Sequence, residues 1–114
     1  MIKQDLIDMC LGLDGAVADY PFDESWAVLR HGDTRKWFAC VFERDGVCIN
    51  LKIEPAMGAL LQEEYKSITP AYHMNKWHWI MVKTGGDVDK DMLLDLIRVS
   101  YTLTAKKKKI KRKL

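Results

Sequence analysis

The stretch AYHMNKWHWIMV, at positions 71–82, concentrates side chains that bind metal ions or stack on nucleobases. His73 and His78 are the candidate metal ligands, but neither a cysteine nor a carboxylate lies between them. Zinc sites usually combine closely spaced Cys/His pairs with a second pair downstream, and the chain has no such second pair. The sequence therefore predicts neither a metal site nor a cofactor.

Aromatic and basic residues are interleaved in YHMNKWHW and again in RKWF, at positions 35–38. Single-strand nucleic-acid binders use this composition, because every base offers a face for stacking. The alternative is that Trp37, Phe38, Trp77 and Trp79 pack helices against a sheet, since a tryptophan has a large apolar area to bury. Both interpretations fit the pattern, and the second is favoured.

Nucleophilic catalysis is the third chemistry that the residue types permit. Cys40 or Cys48 could face His78 across a sheet, but catalysis would need a thiol of low pKa within reach of its base. Small, buried and inert thiols are the simpler interpretation. The chain has no Gly-rich phosphate loop and no G-x-S-x-G motif. We therefore expect that the protein is not an enzyme.

Basic residues are distributed unevenly along this chain of net charge +2. Residues 1–29 are strongly acidic, whereas residues 106–114 contain seven bases and no acid. Nucleic-acid contact is one hypothesis for the basic residues, because lysine and arginine release counterions from phosphates. The candidate contacts are Arg30, Arg35, Lys36, Lys52, Lys76, His78, Lys106, Lys107, Lys108, Lys109, Lys111, Arg112 and Lys113. The body without the tail is net negative, so the hypothesis requires its charges to segregate by face.

Localisation is predicted from three features of the chain. The N-terminus carries Asp5 and Asp8 and lacks a basic region before an apolar run, which argues against a signal peptide. No apolar run approaches the roughly 18–20 residues of a membrane span. Three cysteines, an odd number, favour a reducing environment. We expect a cytoplasmic protein with no membrane association, and a monomer is favoured.

Apolar spacing predicts the elements that must position these residues, in the order α-β-β-β-α-β-β-α. The helices are expected at 2–13, after Glu54-Pro55 and at 89–105, and the strands at 26–31, 36–43, 47–53, 68–72 and 77–83. Asp45-Gly46 is a hairpin signal, which makes the sheet antiparallel. In the short helix, the buried face is expected to contain Met57, Leu60 and Leu61. The result is a two-layer α+β domain over residues 1–105, followed by a basic tail over 106–114 that is either helical or disordered.

Several motifs resemble the MmcQ/YjbR family: TPAYHMNKWHWI at 69–80, DYPF at 19–22, Leu51-Lys52 before the Pro-initiated helix, and SYTL at 100–103. The resemblance runs from the first helix to Leu103. It implies an antiparallel sheet flanked by helices, a fold described as CyaY-like or secretion-chaperone-like. The positions that match the family signature are Tyr72, His73, Met74, Asn75, Lys76, His78 and Trp79.

The resemblance also implies DNA binding through a double-wing arrangement of hairpins. Together with the charge pattern, it leads to the hypothesis of a small cytoplasmic protein that binds DNA or another nucleic acid without sequence specificity. The alternative is a chaperone-like protein-interaction module with no nucleic-acid role, in which the aromatic cluster and the exposed strand edges meet a partner chain.

Overall fold

A six-stranded antiparallel sheet with three helices forms the part of the chain that the computed structural model describes, residues 1–107. The elements in chain order are α1 (Lys3–Leu11), β1 (Ala16–Asp19), β2 (Ala27–His31), β3 (Trp37–Glu43), β4 (Val47–Lys52), α2 (Pro55–Glu64), β5 (Ile68–Pro70), β6 (Trp79–Lys83) and α3 (Lys90–Thr104). The strands are arranged as β1-β2-β3-β4-β6-β5. The predicted α+β class is confirmed, and the order matches except that β1 was not predicted.

One face of the sheet is covered by α1 and α3. The side chains buried there include Leu6, Ile7 and Cys10 of α1, Leu93, Leu96 and Ile97 of α3, and Leu29, Val41, Ile49, Leu51, Ile80 and Val82 of the strands. Each fully buried Leu, Ile or Val contributes about 1.5–3 kcal/mol. α3 begins after an acidic cap: the carboxylate of Asp89 accepts a hydrogen bond from the N–H of Met92 at 2.8 Å.

The orientation of α2 differs from the prediction. Gly58 and Leu61 are its buried residues, whereas Met57 and Leu60 are 49% and 57% exposed. Gly58 packs so closely on Ile53 that a Cβ atom at this position would lie 3.0 Å from the Ile53 Cγ2. The absence of a side chain at Gly58 lets the helix approach the sheet on that face, and this rotates Met57 and Leu60 outward.

The second face of the sheet is buried too. The alternation of Val47, Ile49 and Leu51 with Cys48, Asn50 and Lys52 is instead the sequence pattern of a half-buried strand, with its polar side exposed. Val28, Cys40, Phe42 and Cys48 are fully or almost fully buried there. Trp26 and the segment 71–78 cover them. Within residues 1–107, no helix has the length and apolar character that crossing a membrane requires.

Candidate nucleic-acid interface

The aromatic and histidine cluster of the sequence forms an irregular segment, residues 71–78, over the second face of the sheet. Asn50, fully buried in β4, donates a hydrogen bond from Nδ2 to the carbonyl of Tyr72 at 2.9 Å. The Tyr72 ring lies 5.9 Å from that of Phe42, and the guanidinium of Arg44 lies 3.8 Å from its centre. The sulfur of Met74 is 3.9 Å from that of Cys40. These contacts fix the first half of the segment to the sheet.

The second half of the segment is a compact turn. The Oδ1 of Asn75 accepts hydrogen bonds from the N–H groups of Trp77 at 2.9 Å and His78 at 3.3 Å. The ammonium of Lys76 donates to the carbonyl of Ala71 at 2.8 Å. Because β6 starts only at Trp79, the Trp77 side chain is 75% exposed while that of Trp79 is 9% exposed. Core packing was thus the right interpretation for Trp79 and the wrong one for Trp77.

The two histidines of the cluster do not converge on one point. The ring of His73, whose φ angle is 62°, lies 3.7 Å from that of Tyr72 and 6.2 Å from that of Trp26. His78 is exposed, and its carbonyl accepts from the N–H of Ile53. In the described part of the chain, no group of three or more His, Cys, Asp and Glu side chains is arranged to hold a metal ion.

The strand register brings the candidate cations of residues 1–107 to one end of the sheet. At this end β2 and β4 finish, β3 and β6 begin, and α3 terminates against His31 through Thr104. We call it the basic end; its members are Arg30, Arg35, Lys36, Lys52, Lys76, His78, Lys106 and Lys107. The remaining candidates, Lys108, Lys109, Lys111, Arg112 and Lys113, lie outside the described residues.

The two arginines of the basic end share a carboxylate. Arg30 forms an ion pair with Asp19 at 2.8 Å, and Arg35 approaches the same oxygen at 3.9 Å. Arg30 also lies over the ring of Trp37, with its guanidinium carbon 5.3 Å from the ring centre. Asp19 therefore neutralises part of this charge, and Arg30 is held against Trp37 on the second face.

The lysines of the basic end are differently placed. Lys36, Lys106 and Lys107 are exposed, and Lys52 lies 5.8 Å from the ring centre of Trp79. Within residues 1–107, none of these four lysines has a carboxylate at ion-pair distance. Three acids, Asp14, Asp33 and Glu54, also lie at this end. The opposite end combines the acids Glu43, Asp45, Asp87 and Asp89 with the bases Arg44, Lys66, Lys83 and Lys90. The basic end therefore has an excess of positive charge that the opposite end lacks.

An aromatic cleft of about 500 Å³ opens on the second face, beside the basic end. Its lining residues are Phe22, Asp23, Ser25, Trp26, Trp37, His73, Met74 and Asn75. Phe22 and Trp37 meet edge to face, with ring centres 6.0 Å apart. Hydrogen bonds from the hydroxyl and N–H of Ser25 hold the pKa of the Asp23 carboxyl below its usual value, so this group is ionised at neutral pH.

Phe22, Asp23 and Ser25 were not among the site residues predicted from the sequence. They belong to the loop YPFDESW, residues 20–26, between β1 and β2, where Phe22 is 67% exposed. An aromatic side chain among turn-forming residues is the signal that could have found them, because binding residues concentrate on loops held by a rigid scaffold.

Comparison with known proteins identifies the relatives of this chain. Its residues 11–103 match the family model described as YjbR. It is 42% identical to the YbdF protein of Escherichia coli O157:H7 over 85 residues, which cover 74% of this chain and 68% of that protein. It is 30% identical to the YyaQ protein of Bacillus subtilis over 103 residues, covering 79% of this chain and 86% of that protein.

Solved structures with similar folds come from two other bacteria. A crystal structure from Pseudomonas syringae superposes with a TM-score of 0.81 at 32% identity, covering 92% of this chain and all of that one. A crystal structure from Deinococcus radiodurans gives a TM-score of 0.76 at 33% identity, covering 88% of this chain and 75% of that one. The match along residues 11–103 means that the chain belongs to the YjbR family.

Proposed function

We propose that the protein binds nucleic acid without sequence specificity, through phosphate contacts made by the basic end of the sheet. The observation that supports this proposal is the excess of positive charge at one end of the strands, where the candidate cations of residues 1–107 lie. Lysine and arginine that neutralise phosphates release condensed counterions, which supplies affinity without reading sequence. No catalytic step is part of the proposal.

The cations of the basic end are expected to contribute unequally. Arg30 is half-buried and paired with Asp19, so a phosphate would compete with an existing ion pair. Lys36 and Lys106 are exposed and have no ion-pair partner in the described residues, so no existing ion pair has to break when they contact a phosphate. We therefore assign the main phosphate contacts to the exposed lysines, and to the arginines a smaller share.

A fluorescence-anisotropy titration with labelled DNA tests this assignment. The full-length protein and the double variant Lys36→Ala/Lys106→Ala are titrated over a range of salt concentrations starting at about 50 mM. We expect the variant to bind more weakly, and the slope of log K against log salt to fall in magnitude by about two, one for each lost contact.

The matched control removes two lysines from the opposite end of the sheet, in the variant Lys66→Ala/Lys90→Ala. Both side chains are exposed, and the change in net charge is identical. This control should leave affinity and salt slope unchanged. Equal weakening by both double variants would show that affinity depends on net charge and not on the basic end. No measurable binding by the full-length protein at about 50 mM salt would contradict the proposal.

A protein-interaction role is the second candidate. Met57 and Leu60 of α2 and Trp77 expose apolar surface that no described residue covers. The edge strands argue against pairing by strand addition, because β1 has four residues and β5 has three and ends at a proline. A partner would therefore contact the α2 surface. Sedimentation of the wild-type protein and of the variant Met57→Ser/Leu60→Ser tests self-association through the α2 surface. If both proteins are monomers, self-association through this surface is contradicted.

A further inference from the structure

The aromatic cleft on the second face has the dimensions and lining of a small-ligand site. Its volume of about 500 Å³ lies within the roughly 300–1,000 Å³ that such sites occupy. Phe22, Trp26, Trp37 and Met74 provide its apolar surface, and polar groups from two loops converge on it. We propose that the cleft receives one unpaired nucleobase, so that the protein prefers single-stranded nucleic acid to duplex. This inference rests on the proposed function, which supplies the phosphate contacts.

The position of the cleft relative to the cations favours a nucleotide over an uncharged aromatic ligand. Trp37 lines the cleft and directly follows the exposed Lys36 in the chain. On the other wall Asn75 directly precedes Lys76. The ammonium of Lys76 is itself held by the carbonyl of Ala71. The guanidinium carbon of Arg30 lies 5.3 Å from the ring centre of Trp37, so this cation lies at the wall of the cleft, where it can contact the phosphate of a base bound there.

The polar groups of the cleft match the edge of a base. Both hydrogen bonds from Ser25 end on the Oδ1 of Asp23, so Oδ2 retains its capacity to accept. The Oδ1 of Asn75 is occupied by the N–H groups of Trp77 and His78, which leaves its Nδ2 to donate. An ionised carboxylate repels phosphate and accepts from the amino and imino groups of bases. The cleft therefore admits the base and not the phosphate.

A duplex cannot use this cleft without first losing base pairing. Bases inside a double helix are stacked and paired, and extruding one costs free energy that a single strand does not have to supply. Stacking on aromatic side chains tolerates any base, which agrees with binding that does not read sequence. The basic end alone would serve both forms of nucleic acid, so the cleft is the feature that distinguishes them.

The test compares a labelled single strand of about 12 nucleotides and mixed sequence with the duplex of the same sequence and length, by anisotropy at constant low salt. The variant Phe22→Ala removes an exposed ring of the cleft without disturbing the core. We expect it to weaken single-strand binding about tenfold or more, the effect of losing one stacked base, and to leave duplex binding unchanged. Tyr20→Ala, which removes an exposed ring of the same loop that lies outside the cleft, is the control and should change neither affinity.

A second measurement uses the tryptophans of the cleft as reporters. Single-strand binding should quench the emission of wild-type protein, because Trp26 and Trp37 line the site, and Trp37→Phe should lose part of that quenching. Equal affinity of the wild type for both nucleic acids, with no effect of Phe22→Ala, would overturn the cleft assignment and leave the phosphate proposal standing. Absence of binding to either form would overturn both.

Discussion

The Nε2 of His31, the last residue of β2, lies 2.7 Å from the Oγ1 of Thr104, the last residue of α3. Thr104 donates its own hydroxyl proton to the carbonyl of Ser100 at 2.9 Å, so its oxygen accepts from His31. This fixes the neutral imidazole with the proton on Nε2. Burial lowers the pKa of His31, and the nearby carboxylate of Asp33 offsets only part of that effect.

The free energy of unfolding should therefore fall on acidification. The imidazole of the unfolded chain titrates near 6.5, and that of the folded chain titrates lower. Below 6.5 the unfolded state binds more protons, so stability declines as the pH falls towards the pKa of folded His31. Urea unfolding at several pH values between about 7.5 and 5 should show this loss in the wild type.

The variant His31→Gln separates this effect from the titration of carboxylates. Glutamine offers Thr104 an N–H donor but no titrating group. We expect a smaller loss of stability on acidification in His31→Gln than in the wild type, even if its stability at neutral pH is lower. Parallel curves for the two proteins would show that His31 does not titrate on unfolding.

Trp77 and Trp79 form a natural pair for testing which aromatic residues stabilise the fold. Trp79→Ala should cost about 3–5 kcal/mol of unfolding free energy, because its side chain is almost wholly buried in β6. Trp77→Ala should change stability by no more than about 0.5 kcal/mol. Urea unfolding followed by far-ultraviolet circular dichroism measures both without relying on tryptophan emission. Similar losses in the two variants would contradict the exposure of Trp77.

The three cysteines should be unreactive in the folded protein. Cys10, Cys40 and Cys48 are buried free thiols. Desolvation raises the pKa of Cys10 and of Cys40 to about 12, and burial also raises the pKa of Cys48. Since the thiolate is the reactive form, labelling by an aromatic disulfide reagent should wait for unfolding.

An introduced thiol gives the control for that measurement. Ser25 is exposed, so Ser25→Cys adds a fourth cysteine that should react at once in the folded protein. The other three should react together once denaturant is added. Rapid labelling of one native thiol before unfolding would contradict its burial and would restore a Cys–His interpretation.

Most helices and strands were predictable from local patterns, because the apolar residues of an element recur with the period of its secondary structure. Val47, Ile49 and Leu51 alternate along β4, and Asp45-Gly46 adopts the positive φ angles of a tight hairpin. The four residues of β1 are too few and too small to show a period. Pairing with β2 and the ion pair from Asp19 to Arg30 stabilise this strand, and both are tertiary contacts.

The candidate site was only partly predictable, for the same reason. Alternation in β4 marked Cys48 and Asn50 as an exposed side, yet the distant segment 71–78 covers them. The cationic residues were visible in the sequence, but their common position at one end depends on strand register. The aromatic cleft depends on two loops meeting over a sheet face, which no local spacing encodes.

Removing residues 108–114 should separate the contribution of the end of the tail from that of the basic end. The deletion takes away five basic residues and leaves α3, which ends at Thr104, and the basic-end residues Lys106 and Lys107 in place. If all five charges engage duplex phosphates, the slope of log K against log salt should fall in magnitude by about 4.5. Anisotropy titrations of the full-length and shortened proteins measure this change. An unchanged slope would assign the phosphate contacts to the basic end alone, and complete loss of binding would assign them to the tail.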